Sequence, residues 1–209
     1  YQNVPWGINR VFNGETNRVD TWGISRGSGK GVAILDTGID TDHSDLDVKG
    51  GANFTDSGGS FDDDNGHGTH VAGTVAALDN QIGVAGVAPE AGLYALKVLD
   101  SGGSGYITWI VAGIEWATAN SNISVLNMSL GSSSSSEALM QACDAAYNAG
   151  KLIVASAGNS GNPSGKGDKV GYPAAYPSVI AVAASTINDT RASFSSTGPA
   201  VELIAPGYQ

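Results

Sequence analysis

Charged side chains are scarce in this chain. Asp, Glu, Lys and Arg make up 14% of its 209 residues, against about 25% in an average protein, which argues against stabilisation by surface ion-pair networks. Cations are scarcer still. Ten Lys and Arg stand against twenty Asp and Glu, a formal net charge of −10. Binding phosphates needs a basic surface, so no nucleic-acid partner is expected; the acidity suits cation binding or simple solubility. Cys143 is the only cysteine, which rules out an internal disulfide and says little about redox compartment. Stability outside a cell would then need another staple, such as metal ions. There is no run of about 18 apolar residues, so no membrane span is expected. Tyr1-Gln2-Asn3-Val4-Pro5 has neither a charged leader nor an apolar one; in a secreted protein the signal peptide would already be gone.

Apolar residues reach 41%, too many for an intrinsically disordered chain. The length suits one domain spanning 1–209, with no internal repeat and no dividing linker. Apolar runs predict strands over Gly31–Asp36, Leu93–Leu99, Ser124–Met128, Leu152–Ser156, Val179–Ala184 and Val201–Ala205. Runs such as Val32-Ala33-Ile34-Leu35 are apolar throughout, as in parallel strands covered on both faces. Helical spacing of Ile107, Ile110, Val111 and Ile114 predicts a helix over Ile107–Ala119. Leu139, Cys143, Ala146 and Tyr147 predict another over Glu137–Ala149, opened by a capping-box pattern in Ser134-Ser135-Ser136-Glu137 and closed by Gly150. Strands alternating with helices give a three-layer αβα fold on a mainly parallel sheet.

In such sheets, sites form beyond the carboxyl ends of the strands. The strand ends here carry Asp36-Thr37-Gly38, Asn127-Met128-Ser129-Leu130-Gly131 and Ala157-Gly158-Asn159. Asp36 follows an apolar strand directly, so its carboxylate should be partly buried; a turn aspartate would look the same. His67 stands just before a small, apolar helical stretch. A buried carboxylate that orients an imidazole is half of a nucleophile-activating triad. His67 and His70, three apart, would also suit a metal pair, though no His-Glu-x-x-His follows and the sole cysteine is distant. Asn159 beside Gly158 fits an ordinary turn as well.

Asp36-Thr37-Gly38-Ile39-Asp40, His67-Gly68-Thr69-His70-Val71-Ala72-Gly73 and Asn127-Met128-Ser129-Leu130-Gly131 occur in that order. Val84-Ala85-Gly86-Val87-Ala88-Pro89, Gly171-Tyr172-Pro173 and Arg191-Ala192-Ser193-Phe194-Ser195-Ser196 follow. Together they resemble the subtilisin (subtilase) family from the first residue to the last, most closely its secreted Bacillus members. The resemblance implies a secreted, extracellular serine endopeptidase with the Asp…His…Ser chain order that defines subtilisins. Asp36 would orient and stabilise the imidazolium; His67 would be general base and then general acid. Asn159 would donate its amide to the oxyanion, a donor whose loss costs subtilisins about 100- to 1000-fold in turnover.

The same resemblance places an extended peptide or protein substrate between Gly103-Ser104-Gly105 and Ser129-Leu130-Gly131, as added strands. The primary pocket would be walled by Ser129–Gly131, by Ser156 with Ala157 and Gly158, and by residues near Gly171. Those segments hold no Asp or Glu, so broad specificity for large apolar side chains is expected rather than for basic ones. A tight calcium loop is implied at Leu78–Val84: the carbonyls of Leu78, Ile82 and Val84 would join the side chains of Gln2, Asp45 and Asn80. A weaker cation site, for calcium or a monovalent ion, would use the carbonyls of Ala174, Tyr176 and Val179 with Glu202. Asp62-Asp63-Asp64 fits either a further calcium loop or a solvated acidic run.

The family's nucleophile motif, Gly-Thr-Ser-Met-Ala, does not occur among these residues. The serine is expected on a separate or missing C-terminal fragment, which would be this chain's partner in an otherwise monomeric enzyme. An autolytic nick in an exposed loop would produce that arrangement. Alone, the 209 residues are expected to be inactive, and unstable because an apolar sheet face would lie bare. A peptide-binding module without a nucleophile could use the same groove, but it would not need Asp36, His67 and Asn159 together. A calcium-dependent structural protein would need neither Asn159 nor the glycine-rich substrate edges.

Overall fold

The computed structural model describes residues 2–12 and 25–208; Tyr1 and Gln209 lie outside the described residues. Seven parallel strands form one sheet: β1 (Gly31–Asp36), β2 (Val48–Asn53), β3 (Gly92–Lys97), β4 (Ile123–Met128), β5 (Leu152–Ser156), β6 (Ile180–Thr186) and β7 (Val201–Tyr208). Their order is β2-β3-β1-β4-β5-β6-β7. From β1 the chain crosses to the edge strand β2, returns to lay β3 between them, and then places β4 to β7 in succession on the other side of β1. The switch point between β1 and β4 is where a doubly wound sheet leaves a crevice at its carboxyl edge.

Helices α1 (Trp6–Val11), α2 (His67–Ala76), α3 (Ile107–Ala119) and α4 (Glu137–Asn148) complete the described elements. Alternation along β1 divides the core. Ala33 and Leu35 pack with Ile110 and Ile114 of α3 and Cys143 of α4. Val32 and Ile34 pack on the opposite face with Ala72 and Ala76 of α2. The three-layer αβα fold with its parallel sheet is therefore as the sequence predicts.

Three local features differ from expectation. The strand β2, Val-Lys-Gly-Gly-Ala-Asn, has almost no β-forming residues; its pairing with β3 supplies what propensity does not. The short α1, following Pro5, lacks a readable apolar repeat. The N-cap of α4 is Ser136, whose hydroxyl accepts from Leu139 N. Glu137 is thus the first helical residue, and the expected reciprocal capping box does not form.

Candidate active site

Asp36 is the last residue of β1 and wholly buried. Its Oδ1 accepts a hydrogen bond from Thr37 N at 2.7 Å and lies 2.7 Å from His67 Nδ1. His67 opens α2 with its side chain 50% exposed. With the Nδ1 proton donated to Asp36, Nε2 would be the unprotonated ring nitrogen, a geometry that can serve a base. Burial raises the Asp36 carboxyl above its ordinary range, against the opposing pull of the bonds from His67 and Thr37. Asp36 Oδ2 is buried with no hydrogen-bond partner among the described residues.

The close approach of α2 to β1 depends on Gly68. A Cβ there would stand 2.1 Å from Gly38 O and 3.2 Å from Asp36 Cβ. With only hydrogen present, Gly68 N instead donates to Thr37 Oγ1 at 3.0 Å.

The acidic run before His67 divides among three targets and does not converge on one point. Asp62 Oδ1 accepts from Thr41 N and Oγ1. Asp63 Oδ1 accepts from Thr37 Oγ1, Asn65 N and Gly66 N, and its Oδ2 from Thr69 N and Oγ1. Burial alone would raise the Asp63 carboxyl, but the bonds from Thr69, Gly66 and Asn65 outweigh it and hold it at about 2. Asp64 receives Lys97 Nζ at 2.6 Å, and the same ammonium, almost fully buried, donates to Thr37 O at 2.6 Å.

Two cavities meet along Ser129-Leu130-Gly131-Ser132. One, of about 610 Å³, runs between Gly102–Gly105 and Ser129–Ser132, with His67, Leu99, Ile107 and Tyr172 also on its walls. The other, of about 500 Å³, is lined by Ser129–Ser133, Ser156, Gly158, Asn159, Ser160 and Asp168–Gly171. His67 and Asn159 therefore line two adjoining cavities that share the Ser129–Ser132 wall. Ala157 is buried behind the second cavity, its carbonyl accepting from Gly171 N at 3.0 Å. The expectation that no acidic residue lines this pocket needs correction, because Asp168 does, together with Lys169. Their opposite charges leave the wall without net charge.

At the other end of α2, four oxygens converge on one nitrogen. Leu78 O, Asn80 Oδ1, Ile82 O and Val84 O all lie within 3.5 Å of Gln2 Nε2. An amide nitrogen has two hydrogens and cannot satisfy four acceptors. Asp45, nearly buried, closes the same cluster by accepting from Asn80 Nδ2 and Val84 N. A cage of carbonyls and one carboxylate fits a hard cation. Among the described residues no group of three or more His, Cys, Asp or Glu is placed to hold a metal; His67 and His70 line different cavities. Glu202 lies exposed on β7, next to Val201, which pairs with Ala181. Ala174, Tyr176 and Val179 are buried in the segment leading into β6.

Residues 27–209 match the Subtilase family. The chain belongs to that family. It is 56% identical over 207 residues to Subtilisin DY of Bacillus licheniformis, covering 99% of this chain and 73% of that one. It is 51% identical to Subtilisin E of Bacillus subtilis (strain 168), covering 99% and 53%. It is 53% identical to the Thermostable alkaline protease of Halalkalibacterium halodurans, covering 99% and 54%. The chain thus spans about half the length of several curated relatives it matches.

In this subtilase the sequence motifs leave Lys97, Asp168 and Lys169 unmarked, and offer Asp63 only as part of an acidic run fit for a calcium loop or a solvated face, not as the support for the turn into α2 that it is. Lys97 had a readable signal, a cation at the end of an apolar strand. Asp63 had none that separated it from its two neighbours in an acidic run.

Proposed function

We propose that this chain carries the acid–base pair, the oxyanion donor and the substrate groove of a secreted subtilisin-type serine endopeptidase. The nucleophilic serine comes from a segment outside these 209 residues. The observation that carries the reading is the 2.7 Å contact between a fully buried Asp36 and a half-exposed His67. In the reaction, His67 Nε2 takes the serine proton as the hydroxyl attacks the peptide carbonyl, then returns it to the leaving amine. Asp36 keeps Nδ1 protonated and stabilises the imidazolium. Asn159 donates to the oxyanion of the tetrahedral intermediate. The peptide lies extended between Gly103–Gly105 and Ser129–Gly131, bonded through its main chain. A pocket wall without net charge suits broad specificity, with large apolar side chains favoured.

The Gln2–Val84 cage is proposed to hold calcium, with Gln2 turned so that its amide oxygen faces the ion. Bound there, calcium would tie the N-terminal segment to the loop after α2 without entering the reaction. A weaker cation would use Ala174, Tyr176 and Val179 carbonyls with Glu202. Secretion is inferred from the likeness to subtilisins; among the described residues no helix is long and apolar enough to cross a membrane.

The test joins this chain to a segment bearing Gly-Thr-Ser-Met-Ala and measures hydrolysis of an unfolded protein and of peptide anilides. Activity is expected in the joined protein, and its loss in His67→Ala. Full activity in His67→Ala would defeat the reading. Activity of the 209 residues alone would show that the serine is not needed from outside.

A further inference from the structure

The motif Arg191–Ser196 matches the family but has no part in the chemistry described above. We propose that Ser196 within it is a positioning residue for the oxyanion donor, resting on the reading of Asn159 as that donor. Ser196 is wholly buried. Its backbone N–H donates to Gly158 O at 2.8 Å, and its Oγ accepts from Ser160 N at 3.1 Å. Gly158 and Ser160 are the two neighbours of Asn159. One buried residue therefore holds the main chain on both sides of Asn159, which lines the cavity.

The surroundings reinforce this clamp. Gly161 N donates to Phe194 O at 2.9 Å, and a Cβ on Gly161 would fall 2.0 Å from Ser195 O. At Gly161 the two segments thus lie backbone against backbone. Arg191 fixes the clamping segment in turn. Its Nη1 donates to the carbonyls of Ala192, Ser193 and Ser195, and its Nη2 reaches across to Asn162 O at 2.6 Å. An oxyanion donor acts only if it already stands where the charge will develop. A shift of about 1 Å in such a group costs up to about 100-fold in rate.

The test is a double-mutant cycle in the catalytically complete protein, with Asn159→Ala, Ser196→Ala and both together. Ser196→Ala is expected to lower kcat about 10-fold at nearly unchanged KM. In the Asn159→Ala background the same substitution is expected to cost nothing further. Ser196→Cys, which fills the space with a weak acceptor, is expected to follow Ser196→Ala and covers the case in which that variant fails to fold. An equal loss from Ser196 substitution in both backgrounds would mean a merely structural role and would overturn the proposal, as would no loss in either. An Asn159→Ala variant with undiminished kcat would instead remove the oxyanion reading, and the Ser196 proposal with it.

Discussion

The two halves of the groove are held in place by different chemistry. Around Asp36 and His67 the supports are charges: Asp63 collects five hydrogen bonds, and a buried Lys97 reaches Thr37 O and Asp64. Around Asn159 the direct supports are neutral: Ser196, Gly158, Ser160 and Gly161 bond through main chain and hydroxyl, Arg191 is turned onto carbonyls, and Asp168 and Lys169 on the cavity wall carry opposite charges. The contrast follows from what each half has to do. The proposed base must change its protonation during turnover, and it does so beside a buried carboxylate that takes up the charge of the imidazolium. An oxyanion donor must stay the same at every step and every working pH, which neutral dipoles ensure. The pH dependence of the proposed activity should therefore reside in the first half alone.

The largest break in this comparison is Asp36→Asn. Turnover is expected to fall about 10⁴-fold, because an amide cannot hold the imidazole in the required tautomer. Stability should move the other way. A carboxyl whose folded value is raised by burial is bound more tightly to its proton in the folded state. Its contribution is present at low pH and is lost as the group ionises, so the charge opposes folding near neutrality. Thermal unfolding at pH 7 is expected to show an unchanged or higher Tm in the variant. A large drop in Tm would mean that Asp36 is retained for the fold and not for the chemistry.

Asn159→Ala addresses the neutral half. Turnover should fall about 100- to 1000-fold, the cost known for this kind of donor in subtilisins. What sharpens the comparison is the pH–rate profile of the variant, which should keep the acid limb of the parent. A displaced limb would show that the halves are electrostatically coupled, contrary to the division drawn above.

Most of the fold could be read in the sequence, because burial on both sheet faces forces continuous apolar runs; the strand tips marked Asp36 and Asn159 as unusual polar residues, and only the family resemblance gave them proposed roles. The supports did not stand out. Nothing in Asp62-Asp63-Asp64 tells the three apart, since only the turn into α2 points Asp63 at Thr37 and Thr69 while Asp62 turns to Thr41. Asp168 carries no sequence signal as a pocket residue because its segment is irregular and is held by long-range bonds such as Lys169 N to Thr197 O and Gly171 N to Ala157 O. The strand β2 escaped because glycine carries no strand signal, although Gly51 lies so close to β3 that a Cβ would stand 2.1 Å from Ala95 O.

The proposed calcium cage lies at the far end of α2 from His67, outside both halves. Chelation is expected to lower the Tm by roughly 10 °C, from the loss of several kcal/mol of binding linkage. Asp45→Ala should reproduce that fall and be insensitive to chelator. Below the unfolding transition neither treatment should move the acid limb. A Tm indifferent to chelator would count against calcium at Gln2, Asp45 and the Leu78–Val84 carbonyls.

The smallest effect tests the charged half without touching the chemistry. With its carboxyl held at about 2, Asp63 stabilises the folded state above the unfolded value of 3.8, and this support drains away as pH falls toward about 2. The group is only partly buried, so solvent screening keeps its share modest. Asp63→Asn should accordingly lower the Tm by a few degrees at pH 7, and the gap to the parent should narrow between about pH 4 and pH 2. The five donors from Thr37, Asn65, Gly66 and Thr69 stay in place in both proteins. A gap that persisted undiminished at pH 2 would therefore assign the loss to geometry, since an amide cannot accept all five bonds. A gap that closes assigns it to charge, which is what separates this half of the groove from the one around Asn159.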